Sequence, residues 1–185
     1  MTKYHPNLEL KEFIKVYENV LDLDVCEKII KKVDYLKFRR ARVGQENGGR
    51  ESEQRICYSK PLSEEFEKEV FNSIGKVLQL YEKDFPSFYL GSEGIDTGYD
   101  HLLYKGEEKG EYVTHIDHME KEPRLISISI LLNNNFDGGD FCFFDEHVVK
   151  NKVGGAVVFP SSFMFPHGVL PVSNGDRHAI VTWIR

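Results

Sequence analysis

The stretch FMFPHGVLPVSNGDRHAIVTWIR (residues 163–185) decides how the rest of the chain is read. Its short apolar runs are broken by Pro166, Pro171 and Asn174-Gly175, the texture of β-strands joined by tight turns. Two basic side chains, His167 and Arg177, interrupt those runs. An unpaired guanidinium in a core is expensive, so buried strands bearing a His and an Arg imply an anionic or metallic partner. A two-residue hairpin at Asn174-Gly175 would pair Val172 with Arg177 and His167 with Thr182, which leaves His167 and Arg177 on opposite faces of one sheet. They converge only if their strands belong to facing sheets, or if the connection has an odd residue count. A jelly roll, whose consecutive strands can cross between its two sheets, meets that condition.

Upstream segments agree with such a fold. LISISILL (125–132) alternates, with Ile126, Ile128, Ile130 and Leu132 on one face. NNNFDGGD (133–140) is a turn cluster, and FCFF (141–144) and AVVFP (156–160) are further short runs. Strands at this spacing, without helices between them, indicate a sandwich or barrel. The N-terminal half differs. DVCEKIIKKVDYL (24–36) spaces Val25, Ile29, Val33 and Leu36 as one helical stripe, with Asp24 and Glu27 placed for a capping box. A second helix is predicted over 62–85, capped by Ser63, with Gly75 inside it at a cost of roughly 1 kcal/mol to its continuity. The expected architecture is mainly β with N-terminal helices: a single domain over 1–185, a helical layer over about 1–98 and a jelly-roll core over about 99–185. The polar, glycine-rich GQENGGRESEQR (44–55) is a candidate lid.

Composition narrows the classes. With 185 residues, 41% hydrophobic and 29% charged, the chain suits one soluble domain. A formal charge of −6 argues against a phosphate-backbone binder. No run approaches the ~18 apolar residues of a membrane helix, and MTKYHPNLELKEF has no secretory pattern. Three cysteines without close spacing make neither a disulfide framework nor a zinc ribbon, so a reduced, cytoplasmic setting is expected.

EYVTHIDHMEKEP (111–123) holds the remaining chemistry. With seven histidines and eleven aspartates in the chain, chance alone yields about 0.4 His-x-Asp pairs, so the motif is weak by itself. In extended backbone, however, His115 and Asp117 project to the same side and can grip one ion. With His167 they form two imidazoles and one carboxylate, the facial set associated with non-haem Fe(II). An α-keto acid could take two of the three open positions and O₂ the third. Were that acid 2-oxoglutarate, Arg177 would suit its far carboxylate, since the planar guanidinium accepts a carboxylate bidentately. Tyr104 offers a phenol to the same co-substrate, or a core aromatic with a polar tip. His118 and His147 are read as lying outside the metal's ligands.

Tyr104, His115-x-Asp117, Gly138-Gly139-Asp140, Gly154-x-x-Val157-x-Phe159, His167-x-Val169-x-Pro171-Val172-x-x-Gly175-x-Arg177 and Trp183 together resemble the 2-oxoglutarate/Fe(II)-dependent dioxygenases, in particular the prolyl 4-hydroxylase-like branch. The resemblance covers about 100–185, and more faintly the first helix and ESEQRICYSKPL (51–62). It implies a double-stranded β-helix. It also implies His115, Asp117 and His167 as iron ligands, Arg177 as the 2-oxoglutarate anchor, Tyr104 as a helper and Trp183 as an aromatic lining the co-substrate pocket. Fe(II), 2-oxoglutarate and O₂ are the implied cofactor and co-substrates, with ascorbate as a candidate reductant. The implied reaction hydroxylates a prolyl residue in a peptide or protein and releases succinate and CO₂. Collagen-type members carry Lys in place of Arg177, and Phe141 stands where many members have Thr. A free amino acid, a lysyl residue or a nucleobase is the alternative substrate. A zinc hydrolase or a non-catalytic cupin-like module would leave Arg177 without a role. Oligomeric state is not readable from the sequence.

Overall fold

A computed structural model describes residues 8–44, 49–87 and 92–185. Two α-helices occur among them, α1 (Leu23–Lys31) and α2 (Glu67–Asp84). Four short strands lie in the first third of the chain: β1 (Lys15–Tyr17), β2 (Arg39–Arg40), β3 (Arg55–Ile56) and β4 (Tyr58–Pro61). Ten follow: β5 (Asp100–Tyr104), β6 (Glu111–His115), β7 (Ile126–Leu131), β8 (Asp137–Gly138), β9 (Phe141–Phe143), β10 (His147–Val149), β11 (Ala156–Pro160), β12 (His167–Val169), β13 (Val172–Ser173) and β14 (Arg177–Ile184).

The strands build two facing antiparallel sheets. The larger runs β1-β11-β7-β14-β5-β4-β2 and the smaller β10-β9-β12-β6-β3, while β13 pairs only with β8. The fold class expected from the sequence, a jelly roll flanked by helices, is the one observed. The N-terminal segment is less purely helical than its periodicity suggested. Its four strands are too short to show a period, yet they extend the edges of both sheets.

Period-2 alternation separates two cores. On β7 and β14, Ile126, Ile128, Ile130, Ile180 and Ile184 pack against Cys26 and Ile29 of α1 and Val70, Ile74 and Val77 of α2. The opposite face meets the smaller sheet, where Leu102, Val157, Phe159 and Val181 pack with Phe141, Phe143 and Val169. The site lies at one end of that second core.

Local details depart from expectation at helix ends. α1 starts one residue earlier, with Asp22 at the N-cap, and the capping box is absent because Asp24 and Glu27 pair with Lys28 and Lys31 one turn on. It also stops at Lys31. Asp34 accepts a hydrogen bond from the Leu36 amide and starts a separate 3₁₀ turn, Tyr35–Lys37. Ser63 caps a 3₁₀ turn, Glu64–Phe66, without a side-chain bond, and α2 then runs through Gly75 uninterrupted. The candidate lid at 44–55 falls partly outside the described residues.

The Asn174-Gly175 turn forms with positive φ at both residues, 52° and 135°, but the strands beside it do not pair. β12 joins β6 and β9 in the smaller sheet, whereas β14 sits between β7 and β5 in the larger. The hairpin register is therefore not used, and residues 170–176 cross from one sheet to the other.

Candidate metal and anion site

His115 ends β6 and His167 opens β12, and the two are direct partners across the antiparallel ladder, with ring centroids 4.3 Å apart. Asp117 lies two residues past His115, where the strand has ended and the backbone can turn its carboxylate back between the rings. Asp117 Oδ1 is 3.4 Å from His115 Nε2, and Oδ2 is 3.5 Å from His167 Nε2. One donor atom from each of the three lies within 4.8 Å of the others. That spacing fits a single ion.

The tautomers suit the same use. His115 Nδ1 meets the Val113 carbonyl at 2.9 Å, and His167 Nδ1 meets that of Phe165 at 3.0 Å. A carbonyl only accepts, so both Nδ1 atoms carry a proton, and both Nε2 atoms turn toward Asp117 as the nitrogens left to ligate a metal. Burial pushes the His115 pKa down. Burial would raise that of Asp117, but hydrogen bonds and charge from His115 and His167 outweigh it and hold the carboxyl well below its usual range. The carboxylate is thus ionised.

Aromatic rings fix the imidazoles. Tyr112 stacks on His115 at 3.5 Å and 14°, with the Arg55 guanidinium 4.7 Å above the outer face of that stack. Phe159 meets His167 edge-on at 4.5 Å, and Phe143 lies 5.5 Å away.

Arg177 lines the same cavity, which also takes in Tyr104, Phe141 and Trp183. Only 4% exposed, its guanidinium carbon lies 5.2 Å from the Tyr104 ring and 5.7 Å from the Phe141 ring. Among the described residues no carboxylate comes within 4.0 Å of it. Burial pushes its pKa down, opposed by Tyr104 and Asp140. A charge so buried and unmatched is the signature of a site for an anion. Behind it stands Gly139 at φ 69°, where a Cβ would come 2.8 Å from Arg177 Cδ. This close approach accounts for Gly139, while Gly138 is held by the Pro171 carbonyl, 2.1 Å from where its Cβ would lie. Phe141, in the position noted for a missing Thr, supplies a ring to the guanidinium instead.

Tyr104 is buried beside Arg177, and burial raises its phenol pKa. Trp183 lines the cavity with its Nε1–H buried and unpartnered among the described residues. Arg124 stacks on its ring at 3.6 Å. His118 is exposed, with its ring against the Arg124 carbonyl at 3.2 Å, and it stays out of the cluster. His147 begins β10 and is half-buried rather than fully on the surface. Sequence reasoning missed Tyr112, Arg124 and two hydroxyls: Ser127, which adjoins Asp117, and Ser161, which adjoins Ser127. A signal for Ser127 existed, because serines alternate with isoleucines in a strand whose residues are all buried.

Residues 100–185 match the family model described as the 2OG-Fe(II) oxygenase superfamily. That segment is similar to members of this superfamily. The chain is similar to a PKHD-type hydroxylase of Psychrobacter sp. (strain PRwf-1), 35% identical over 77 residues, which is 39% of this chain and 29% of that protein. The chain therefore spans less than a third of that relative's length. The whole fold is similar to a Pseudomonas putida prolyl-4-hydroxylase, with a TM-score of 0.70 at 20% identity, covering 94% of this chain and 92% of the other. It is also similar to a Trichoplax adhaerens prolyl hydroxylase in complex with a hypoxia inducible factor oxygen degradation domain peptide fragment, with a TM-score of 0.66 at 20% identity, covering 93% and 83%. These likenesses extend the oxygenase fold beyond the matched segment to the N-terminal helices and edge strands. Among the described residues no helix is long and apolar enough to cross a membrane.

Proposed function

We propose that this chain is a 2-oxoglutarate- and Fe(II)-dependent hydroxylase acting on a prolyl residue of a peptide or protein. The observation that carries the reading is the buried, unmatched guanidinium of Arg177 in the cavity that also holds His115, Asp117 and His167. A metal site alone, as in a zinc hydrolase, leaves that charge unexplained. A metal site with a dicarboxylate co-substrate accounts for both.

In this reading the Nε2 atoms of His115 and His167 and the carboxylate of Asp117 hold the iron. Arg177 pairs with the far carboxylate of 2-oxoglutarate, Tyr104 donates its phenol proton to that co-substrate, and Trp183 walls the pocket. Iron and 2-oxoglutarate, when bound, supply the O₂-dependent oxidative decarboxylation that yields succinate and CO₂ and hydroxylates a C–H bond. Phe141, Phe143 and Phe159 keep water from the ligands, which strengthens the charge interactions there. Ascorbate would serve as the reductant that keeps the iron ferrous. The prolyl substrate rests on the likenesses to the Pseudomonas and Trichoplax prolyl hydroxylases, and residues 44–55 are the segment proposed to cover it. A single catalytic unit over 1–185 and a reducing, cytoplasmic setting accord with the N-terminal edge strands and the three free thiols.

Anaerobic addition of Fe(II) and 2-oxoglutarate tests the site through the weak visible charge-transfer band of the chelate. It should appear in the wild type and be lost in Asp117→Ala. Screening proline-containing peptides for a mass gain of one oxygen tests the substrate. No band in the wild type would overturn the reading.

A further inference from the structure

Asp117 does not face the two imidazoles unaided. Ser127 Oγ lies 2.7 Å from Asp117 Oδ2, and Ser161 Oγ lies 2.8 Å from Ser127 Oγ. Both serines are 1% exposed. An ionised carboxylate only accepts, so Ser127 must spend its single proton on Oδ2. Its own oxygen then accepts from Ser161, and the direction of the pair is set: Ser161 to Ser127 to Asp117. The Ser161 backbone carbonyl also accepts the His118 N–H at 2.8 Å. Ser161 thereby holds the backbone just after Asp117 as well as the hydroxyl that meets its side chain.

Ordinary packing gives no reason for this pair. β7 is buried along its whole length, and an alanine at 127 would fill nearly the same space without a hydroxyl to satisfy. Asp117 itself lies beyond the end of β6, in a segment with no strand ladder to hold it. Ser127 is fixed by β7 pairing to β14, where it stands opposite Trp183, and Ser161 directly follows β11. The relay therefore ties an irregular loop to two central strands of the larger sheet.

We propose that Ser127, backed by Ser161, is a positioning residue that occupies Asp117 Oδ2 and leaves Oδ1, the oxygen nearer His115, as the single oxygen offered to the metal. The proposal rests on the metal reading above. A carboxylate loaded on one oxygen ligates through the other alone, which keeps a further coordination position open for co-substrate and O₂. Without the relay both oxygens are free to chelate, or the side chain can swing away.

Co(II), added alone to the full chain, is the probe. Ser127→Ala should raise its Kd by about 10–100-fold, the range for losing a partner of a metal ligand. Ser161→Ala should raise it less, because Ser127 can still donate, and Ser127→Thr, which keeps a hydroxyl, should stay close to wild type. The visible Co(II) bands should also change in shape and intensity in Ser127→Ala, which a purely structural role would not produce when the metal-free melting temperature is unchanged. An unaltered Kd and spectrum in Ser127→Ala would overturn the relay while leaving the metal site intact. No Co(II) uptake by the wild type would overturn the metal reading and the relay with it. Should Ser127→Ala not fold, the other two variants decide: Ser161→Ala must weaken binding and Ser127→Thr must not, and any other order sinks the proposal.

Discussion

Arg177 and Tyr104 stand directly opposite each other on the neighbouring antiparallel strands β14 and β5, with the guanidinium carbon 5.2 Å from the ring centroid. A cation held over an aromatic face keeps part of its stabilisation when no anion is present. Arg177→Ala should weaken 2-oxoglutarate binding by about 2–5 kcal/mol, the cost of losing one partner of a buried charge pair, with Co(II) affinity unchanged. Tyr104→Phe should cost only about 0.5–1.5 kcal/mol, one hydrogen bond. Calorimetric titration of each variant, first with metal and then with co-substrate, separates the two effects. Equal losses of both ligands in Arg177→Ala would contradict the division of labour.

Gly139→Ala tests the same charge from behind. The added Cβ meets Arg177 Cδ at 2.8 Å, and the residue is held at φ 69°. The expected result is a loss of about 1–3 kcal/mol in stability from the strained backbone, together with weaker 2-oxoglutarate binding. A variant that binds the co-substrate normally would mean that Arg177 can shift without loss.

His101 and His178 form a buried pair on the other face of the same two strands, with Nε2 to Nδ1 at 3.0 Å. Phe38 lies edge-on to His101, Tyr35 edge-on to His178, and the buried Lys60 ammonium is nearby. Burial, with the neighbouring His178 and Lys60 charges, pushes His101 down to about 3, and burial pushes His178 down to about 4. Both folded values lie below the ordinary 6.5, so the unfolded chain takes up protons that the folded chain does not. Their contribution to stability is complete above pH 6.5 and is lost as pH falls from there toward 4. Denaturant unfolding should show a slope of up to about 1.4 kcal/mol per pH unit for each histidine. His178→Asn should flatten that slope between pH 6.5 and 5. An unchanged slope would show that the pair does not titrate in this window.

Gly75→Ala is expected to stabilise the chain. Gly75 sits inside α2, and a Cβ there would meet nothing within 4 Å. Relief of backbone entropy should add about 0.4–1 kcal/mol, or roughly 2–4 °C per kcal/mol in Tm for a chain of this size. Differential scanning calorimetry measures it directly, and a lower Tm would show that α2 needs flexibility at that point.

The residues legible in the sequence were those whose chemistry is costly to bury. His167 and Arg177 could be singled out because apolar strands do not carry such groups without a partner, and His115 and Asp117 because an i, i+2 pair in extended backbone projects to one side. The convergence of His167 and Arg177 could be argued because only facing sheets, or a connection with an odd residue count, bring them together. The roles of Ser127 and Ser161 were not legible: the Ser–Ile alternation of β7 sets Ser127 on the face away from the isoleucines, but a serine costs little anywhere, and nothing in its neighbours shows that the Asp117 carboxylate will sit 2.7 Å away. The capping box failed for a related reason, since Asp24 and Glu27 had i,i+4 lysines competing for the same carboxylates. Edge strands of two or three residues, such as β2 and β3, have no period to detect. Their pairing comes from the sheet they join.

The crossing of residues 170–176 between sheets has a further consequence on the proposed reading. His167 and Arg177 stand on opposite walls, and facing sheets keep a spacing of about 10 Å. The interval between iron and anion anchor is then inherited from the architecture rather than from the reach of a flexible side chain. Such a site discriminates among dicarboxylates by length: an oxo-acid one methylene shorter would satisfy one wall and leave the other unmatched.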